Sequence, residues 1–247
     1  LYAFDLAWLR RRLPDLAPSA ATGELYLTEL VRLAREDGLP VPSLVVEDDG
    51  RLLGINDRLQ LAETEGEMRA ELIEAHLLAG VSMQDPSTVY LDATVELATD
   101  VTLEPNVILR GATRVGEGTT IGAGSRLEDA VIGRDCRVIA SMVERSTIGD
   151  RVTVGPFAHL RPGCEIGDDA EIGNYSELKN TRFGPGVKNH HVGYLGDAEL
   201  GAGTNVGAGT ITANYDGARK YRTTVGERAF LGVDTMLVAP VTVGDGA

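Results

Sequence analysis

The sequence has 247 residues, with 23 Lys+Arg against 37 Asp+Glu and a formal net charge of −14. That length allows one or two domains, and the acidic balance excludes a general affinity for nucleic acid or anionic lipid, which needs a basic face. No run approaches the roughly 20 apolar residues of a membrane helix, and no signal peptide opens the chain. Cys136 and Cys164 are too few for a disulfide framework and lack metal-ligand spacing, so a reduced, cytoplasmic setting is the default.

Of the 30 glycines, six fall in residues 1–80 and 24 in residues 81–247, which divides the chain into two kinds of sequence. Residues 1–58 read as α/β. Leu25 to Ala34 has helical spacing at Leu27, Leu30, Val31 and Ala34, with Gly38 as a stop signal and Pro40 beyond it. Pro42 to Val46 reads as a short strand and Asp48-Asp49-Gly50 as its turn. A long helix is expected over 57–79. Asp57 with Gln60 fits a capping box, Gly80 suits the far end, and Leu61, Met68, Leu72, Ala75 and Ala79 share one face. About 20 residues at 1.5 Å each give a spacer of roughly 30 Å. Because it joins two chemically different regions, it reads as a linker helix over 59–80.

From about residue 95, aliphatic residues recur every six positions, often followed by Gly. The cleanest run is Ile148, Val154, Leu160, Ile166, Ile172 and Leu178. The register also appears at Val101 and Val107, at Val115, Ile121 and Leu127, at Ile132 and Val138, and at Leu200 and Val206. It falters at Thr212 and resumes at Val225, Leu231, Leu237 and Val243. Period six is neither a helix period nor plain strand alternation. It is the hexapeptide repeat of a β-helix. Each hexapeptide gives a short strand and a turn, the aliphatic residue points inward, and the Gly after it is expected to permit unusual turn angles. The repeat does not set the hand of the coil, and a left-handed one opposes the usual crossover preference.

A bare β-helix has smooth faces, so breaks in the register are candidates for function. Two are expected, at 179–199 and at 213–224. The first carries Lys179, Arg182 and Lys188, and the second Arg219, Lys220 and Arg222. Residues 158–224 hold seven Lys/Arg and eight Asp/Glu and net −1, which leaves −13 for the other 180 residues. Basic clusters in an acidic chain point to an anionic small-molecule ligand.

The stretches GPFAHLRPG (155–163), GNYSELKNTRFG (173–184), HVGYLGDAELG (191–201), NVGAGTITANYDG (205–217) and LVAPVTVG (237–244) carry a closer resemblance. With GELYLTEL (23–30), GINDRLQL (54–61) and GVSMQDP (80–86), they resemble the bacterial bifunctional N-acetylglucosamine-1-phosphate uridyltransferase / glucosamine-1-phosphate acetyltransferases through nearly the whole chain. The resemblance implies a mainly β protein, a left-handed parallel β-helix that assembles as a homotrimer. It implies acetyl transfer from acetyl-CoA to the amine of glucosamine-1-phosphate. In the full-length protein it implies a second, Mg²⁺-dependent step with UTP, giving UDP-N-acetylglucosamine for cell-wall precursor synthesis. Residues 1–58 then match the C-terminal remnant of an α/β nucleotidyltransferase domain, and 81–247 match the acetyltransferase domain without its last coils. The Gly-rich nucleotide loop and acidic metal ligand of the first domain are not in the sequence, so the chain reads as an internal fragment.

Carried over by motif, His191 would be the general base, since a neutral imidazole with a pKa near 6.5 suits taking a proton from an amine. His190 is the decoy. Arg161 and Lys179 would hold the sugar phosphate, and both occupy slots where Gly otherwise follows the inward aliphatic. Tyr194 and Asn205 would complete the sugar site. Ala208, Asn214 and Tyr215 match acetyl-CoA contacts, although Asn214, Asp216 and Gly217 equally suit turn chemistry. Lys220 would meet a CoA or sugar phosphate. Val233 stands where the family often has Ser, so only a backbone contact to the cofactor is available there. Asn56 matches a residue that helps bind Mg²⁺ and nucleotide, against the plainer reading of a helix-cap neighbour. The competing reading is a sugar nucleotidyltransferase whose β-helix serves only for oligomerisation. A three-histidine metal hydratase is excluded by the positions of His76, His159, His190 and His191.

Overall fold

A computed structural model describes residues 1–45 and 54–247. They form two compact units, Leu1–Gly54 and Ile55–Ala247.

The first unit contains helices α1 (Leu6–Arg12) and α2 (Glu29–Glu36). Asp5 caps α1 by accepting from the Trp8 N–H at 2.8 Å, and Trp8, Leu30, Leu33 and Ala34 form a small apolar cluster. The helix expected from Leu25 starts only at Glu29, because residues 26–28 turn by single i→i+3 bonds before the helix is established. Residues 42–45 are not a strand. Val46 and the Asp48-Asp49-Gly50 turn lie outside the described residues.

In the second unit, α3 runs from Arg58 to Leu78. Asp57 Oδ1 accepts from the Gln60 N–H at 2.9 Å, and Gln60 Oε1 accepts from the Asn56 N–H at 2.7 Å. The apolar face expected on this helix is mostly uncovered. Ile73 is buried and Leu72 packs against the core, but Leu61 and Met68 are exposed.

The rest is a parallel β-helix of three nine-stranded sheets. The first sheet runs from Ser82–Met83 to Phe230–Leu231, the second from Tyr90–Leu91 to Met236–Val238, and the third from Glu96–Leu97 to Val241–Val243. Each strand pairs with the strand three later in the chain, so one coil contributes one strand to each face. Every coil stacks its inward residue on the one before: Ile121, Val138, Val154 and Ile172 in the first sheet, Leu127, Val143, Leu160 and Leu178 in the second. Burial of these side chains at about 25 cal/mol per Å² of apolar surface is the main source of stability.

Within the coil, the structure corrects three expectations. Residues 179–199 do not interrupt the coil: Phe183, Asn189 and Leu195 fill the inward slots, on rungs of five or six residues. An aliphatic-only pattern misses them because one is aromatic and one polar. At Thr212 the register also holds, with Thr212 inward and Ile211 exposed outside. The remaining stretch, between Ile211–Ala213 and Thr223–Val225, is the true excursion. Finally, the Gly after the inward residue serves close approach more than unusual angles. A Cβ on Gly173 would sit 1.9 Å from the His190 carbonyl oxygen of the next coil. The left-handed corner positions belong instead to residues such as Asp129, Asp169 and Asn180.

Candidate functional site

Strand alternation on the second sheet puts Leu178 and Leu195 inside and Glu177, Lys179 and Tyr194 outside. Arg161 follows strand His159–Leu160. Its backbone N–H donates to the Leu178 carbonyl at 2.8 Å, which sets it beside Lys179 one coil on. Lys179 in turn pairs with Gly196, and Glu177 with Tyr194. Here the glycine is needed for space: a Cβ on Gly196 would lie 2.3 Å from the Tyr194 hydroxyl and 2.8 Å from Asn214 Nδ2. Tyr194 therefore lies across Gly196 towards Asn214. Beneath it, Thr212 Oγ1 accepts from the Gly196 N–H at 2.7 Å and donates to the Gly196 carbonyl at 2.9 Å.

The excursion after Asn214 brings in a third cation. Tyr215 and Lys220 form an antiparallel bridge, and the Tyr221 N–H donates to the Asn214 carbonyl at 2.8 Å. Asp216 Oδ1 closes the turn by accepting from the Arg219 N–H at 2.7 Å and the Ala218 N–H at 2.8 Å, and these bonds hold its carboxyl below the usual range. The turn returns Lys220 to Lys179. The Lys220 ammonium, and then Arg161, push the Lys179 ammonium below the usual lysine range, while Asp197 pulls the other way. Arg161 carries an ion pair with Glu177 at 2.8 Å, which holds its guanidinium above the ordinary value. Three cations thus converge beside Glu177, Asp197 and Glu144, on an outer face open to solvent. That arrangement suits a phosphate dianion, which Arg meets as a planar fork and Lys as a point charge.

His191 stands at the corner between strands Lys188–Asn189 and Gly193–Gly196. The Gly209 N–H donates to the Val192 carbonyl at 2.8 Å and the Asp234 N–H to the Ala208 carbonyl at 2.7 Å. His191, Ala208 and Val233 therefore occupy the same corner on three successive coils. Val233 is exposed and Ala208 half-buried. The His191 imidazole is exposed and makes no hydrogen bond among the described residues; it lies edge-on to the His190 ring at 6.3 Å. His190 is engaged elsewhere, its Nε2 2.7 Å from Glu171 Oε2.

Not every site residue expected from the sequence joins this group. Asn205 belongs to the first sheet, in register with Lys188 and Phe230, around the corner from Tyr194. The Tyr215 hydroxyl donates to the Gly217 carbonyl at 2.6 Å on an exposed turn. Asn214 is buried and donates to Asp197 Oδ2 at 2.5 Å, so it is pinned by a carboxylate rather than by turn chemistry. Asn56 sits at the α3 cap, where its N–H is taken by Gln60. One side-chain oxygen does not make a Mg²⁺ site, and no cluster of three His, Cys, Asp or Glu able to hold a metal exists among the described residues. Two residues escaped sequence reasoning, Glu177 and Asp197. The signal for Glu177 was available: alternation along Ser176–Lys179 places it on the face of Lys179. A cleft of about 600 Å³ lies elsewhere, between α3 and the strands Tyr90–Leu91 and Ile108–Arg110.

Fold and repeat together define a hexapeptide-repeat β-helix, and the family model Bacterial transferase hexapeptide (six repeats) matches residues 145–180. The UDP-N-acetylglucosamine acyltransferase from Campylobacter jejuni shares the fold at TM-score 0.51 and 22% identity, over 64% of this chain and 67% of that one. More specifically, the chain is similar to the proteins called Bifunctional protein GlmU. It is 45% identical to that of Paenarthrobacter aurescens (strain TC1) and 46% identical to that of Pseudarthrobacter chlorophenolicus, in each case over 247 residues, all of this chain and 50% of the relative. The chain spans about half the length of the curated relatives it matches. Among the described residues, no helix is long and apolar enough to cross a membrane.

Proposed function

We propose that the β-helix transfers an acetyl group from acetyl-CoA to the amine of glucosamine-1-phosphate. The observation that carries this reading is the convergence of Arg161, Lys179 and Lys220, with the Lys179 ammonium pushed down by its cationic neighbours. Such mutual repulsion costs stability in the empty protein and is relieved by a bound dianion. Arg161 and Lys179 hold the sugar phosphate, Tyr194 orients the ring, and Asn205 contributes from the neighbouring face. The corner of Ala208 and Val233, with Asn214, Tyr215 and Lys220 beside it, is the bed for acetyl-CoA.

His191 acts as general base. The amine nitrogen attacks the thioester carbonyl, a C–N bond forms, and the C–S bond breaks. The amine proton passes to the imidazole and CoA leaves as the thiolate. An imidazole free of other partners is available for that proton. No covalent intermediate is required: Cys136 and Cys164 are buried, and burial pushes both thiols up, away from the reactive thiolate.

The same reading makes the full-length protein a cytoplasmic homotrimer. Residues 1–58 close a uridyltransferase domain that uses UTP and Mg²⁺, residues 59–80 form its linker, and residues 81–247 are the acetyltransferase domain. The alternative, a nucleotidyltransferase with an inert β-helix, gives no reason for three cations to crowd one face. Release of CoA by the full-length protein, supplied with acetyl-CoA and glucosamine-1-phosphate, tests the proposal. No release above the acetyl-CoA blank would sink it.

A further inference from the structure

Two inward slots of the coil hold polar side chains where aliphatic residues stand elsewhere, and one lies directly behind His191. Asn189 is 1% exposed and pairs in register with Ile172 of the preceding coil. A buried amide in an aliphatic column is costly unless its hydrogen bonds are met. Here Asn189 Nδ2 donates to Ser176 Oγ at 3.3 Å. Ser176, itself 1% exposed, then donates from its hydroxyl to the His191 carbonyl at 2.9 Å. The Asn189 carbonyl, also 3.4 Å from Ser176 Oγ, accepts from the Gly173 N–H at 2.7 Å. A dry chain of three groups therefore runs from the core to the backbone of the proposed base.

We propose that Asn189, acting through Ser176, is a positioning residue for His191. The inference rests on the reading of His191 as the base for acetyl transfer. An isolated hydrogen bond to one carbonyl would fix only a point. The Asn189 amide orients the Ser176 hydroxyl, which otherwise can turn its proton to either carbonyl within reach, so the pair selects the bond to His191. Packing does not require this. Val206, the next inward residue of the same column, shows that an aliphatic side chain fits the stack. Thr210 shows that a threonine fits the corner slot two coils beyond Ser176.

The test is acetyl transfer by the full-length protein carrying Asn189→Ile, Ser176→Ala or Ser176→Thr, with His191→Ala as reference. Displacing a catalytic group by an ångström costs up to roughly a hundredfold. Asn189→Ile and Ser176→Ala are expected to lower kcat about tenfold or more, with KM for both substrates within about twofold. Ser176→Thr keeps the hydroxyl and recovers most of the loss seen in Ser176→Ala. A merely structural role would predict unchanged kcat in Asn189→Ile, which restores the aliphatic column; that result, with His191→Ala inactive, overturns the inference and leaves the base in place. Should Asn189→Ile fail to fold, the Ser176 pair decides, and equal kcat in the Ala and Thr variants overturns it. Full transfer by His191→Ala overturns the underlying reading and the inference with it.

Discussion

Two stretches of one β-helix differ in what they do with the same repeat. In the coils from Glu96 to Val154, the inward strand columns are aliphatic, and outward cations such as Arg114 and Arg126 sit beside carboxylates, Glu96 at 3.0 Å and Glu128 at 2.9 Å. In the coils from His159 to Val238, Asn189 and Thr212 enter the columns, and Arg161, Lys179 and Lys220 face one another. The first stretch follows the least costly solution for a stacked coil. The second departs from it in the core, at Asn189 and Thr212, and on the surface, where the Lys179 and Lys220 ammonium groups meet.

The comparison breaks most visibly at the proposed base. His191→Ala is expected to reduce acetyl transfer at least a hundredfold, as loss of a general base does, while leaving uridyl transfer by the full-length protein intact. Equal loss of both activities with the fold preserved would contradict separate sites. A core truncation in the plain coils should do the reverse. Ile148→Ala removes a fully buried side chain and is expected to cost about 2–5 kcal/mol in urea unfolding, with KM values unchanged.

The cation cluster gives a pH prediction. Lys179 must be charged to hold phosphate, and its ammonium is depressed chiefly by Lys220. Affinity for the sugar phosphate should therefore be full at neutral pH and fall as pH rises through the lowered Lys179 value, below the usual lysine range. Removing Lys220 relieves the depression, so in Lys220→Ala the alkaline fall moves to higher pH. A fall that stays in place would show that the two ammonium groups do not interact. The smallest effect is expected at the exposed corner. Val233→Ser supplies a hydroxyl to the proposed acetyl-CoA bed and should lower KM for acetyl-CoA by a few-fold at most, since a neutral hydrogen bond is worth about 1 kcal/mol.

How much was legible beforehand follows the same division. The regular coils could be read from the sequence because one physical rule, an aliphatic side chain every sixth residue, governs them. That rule failed at Phe183, Asn189 and Thr212, where the inward slot is real but the residue type is not aliphatic. Two apparent breaks were expected where the structure has one. The proximity of Arg161 to Lys179 could be inferred from their matching slots. The return of Lys220 could not, because it depends on a turn closed by Asp216. Likewise Asp197, which anchors both Asn214 and Asn180, gave no sign in a sequence already rich in turn aspartates. The apolar face of α3 was visible as a pattern, but pattern alone did not reveal that Ile73 and Leu72, rather than Leu61 and Met68, meet the coil.

The proposed role of the crowded cations is to hold the phosphate of an amino sugar. Comparing CoA release with glucosamine-1-phosphate and with glucosamine, in the full-length protein and in Lys179→Ala, decides it. A charged hydrogen bond of about 1.5–3 kcal/mol corresponds to roughly a tenfold to hundredfold preference in kcat/KM for the phosphorylated sugar. That preference is expected in the unaltered protein, and its collapse in Lys179→Ala. Equal kcat/KM for the two sugars in the unaltered protein would rule out a phosphate-holding role.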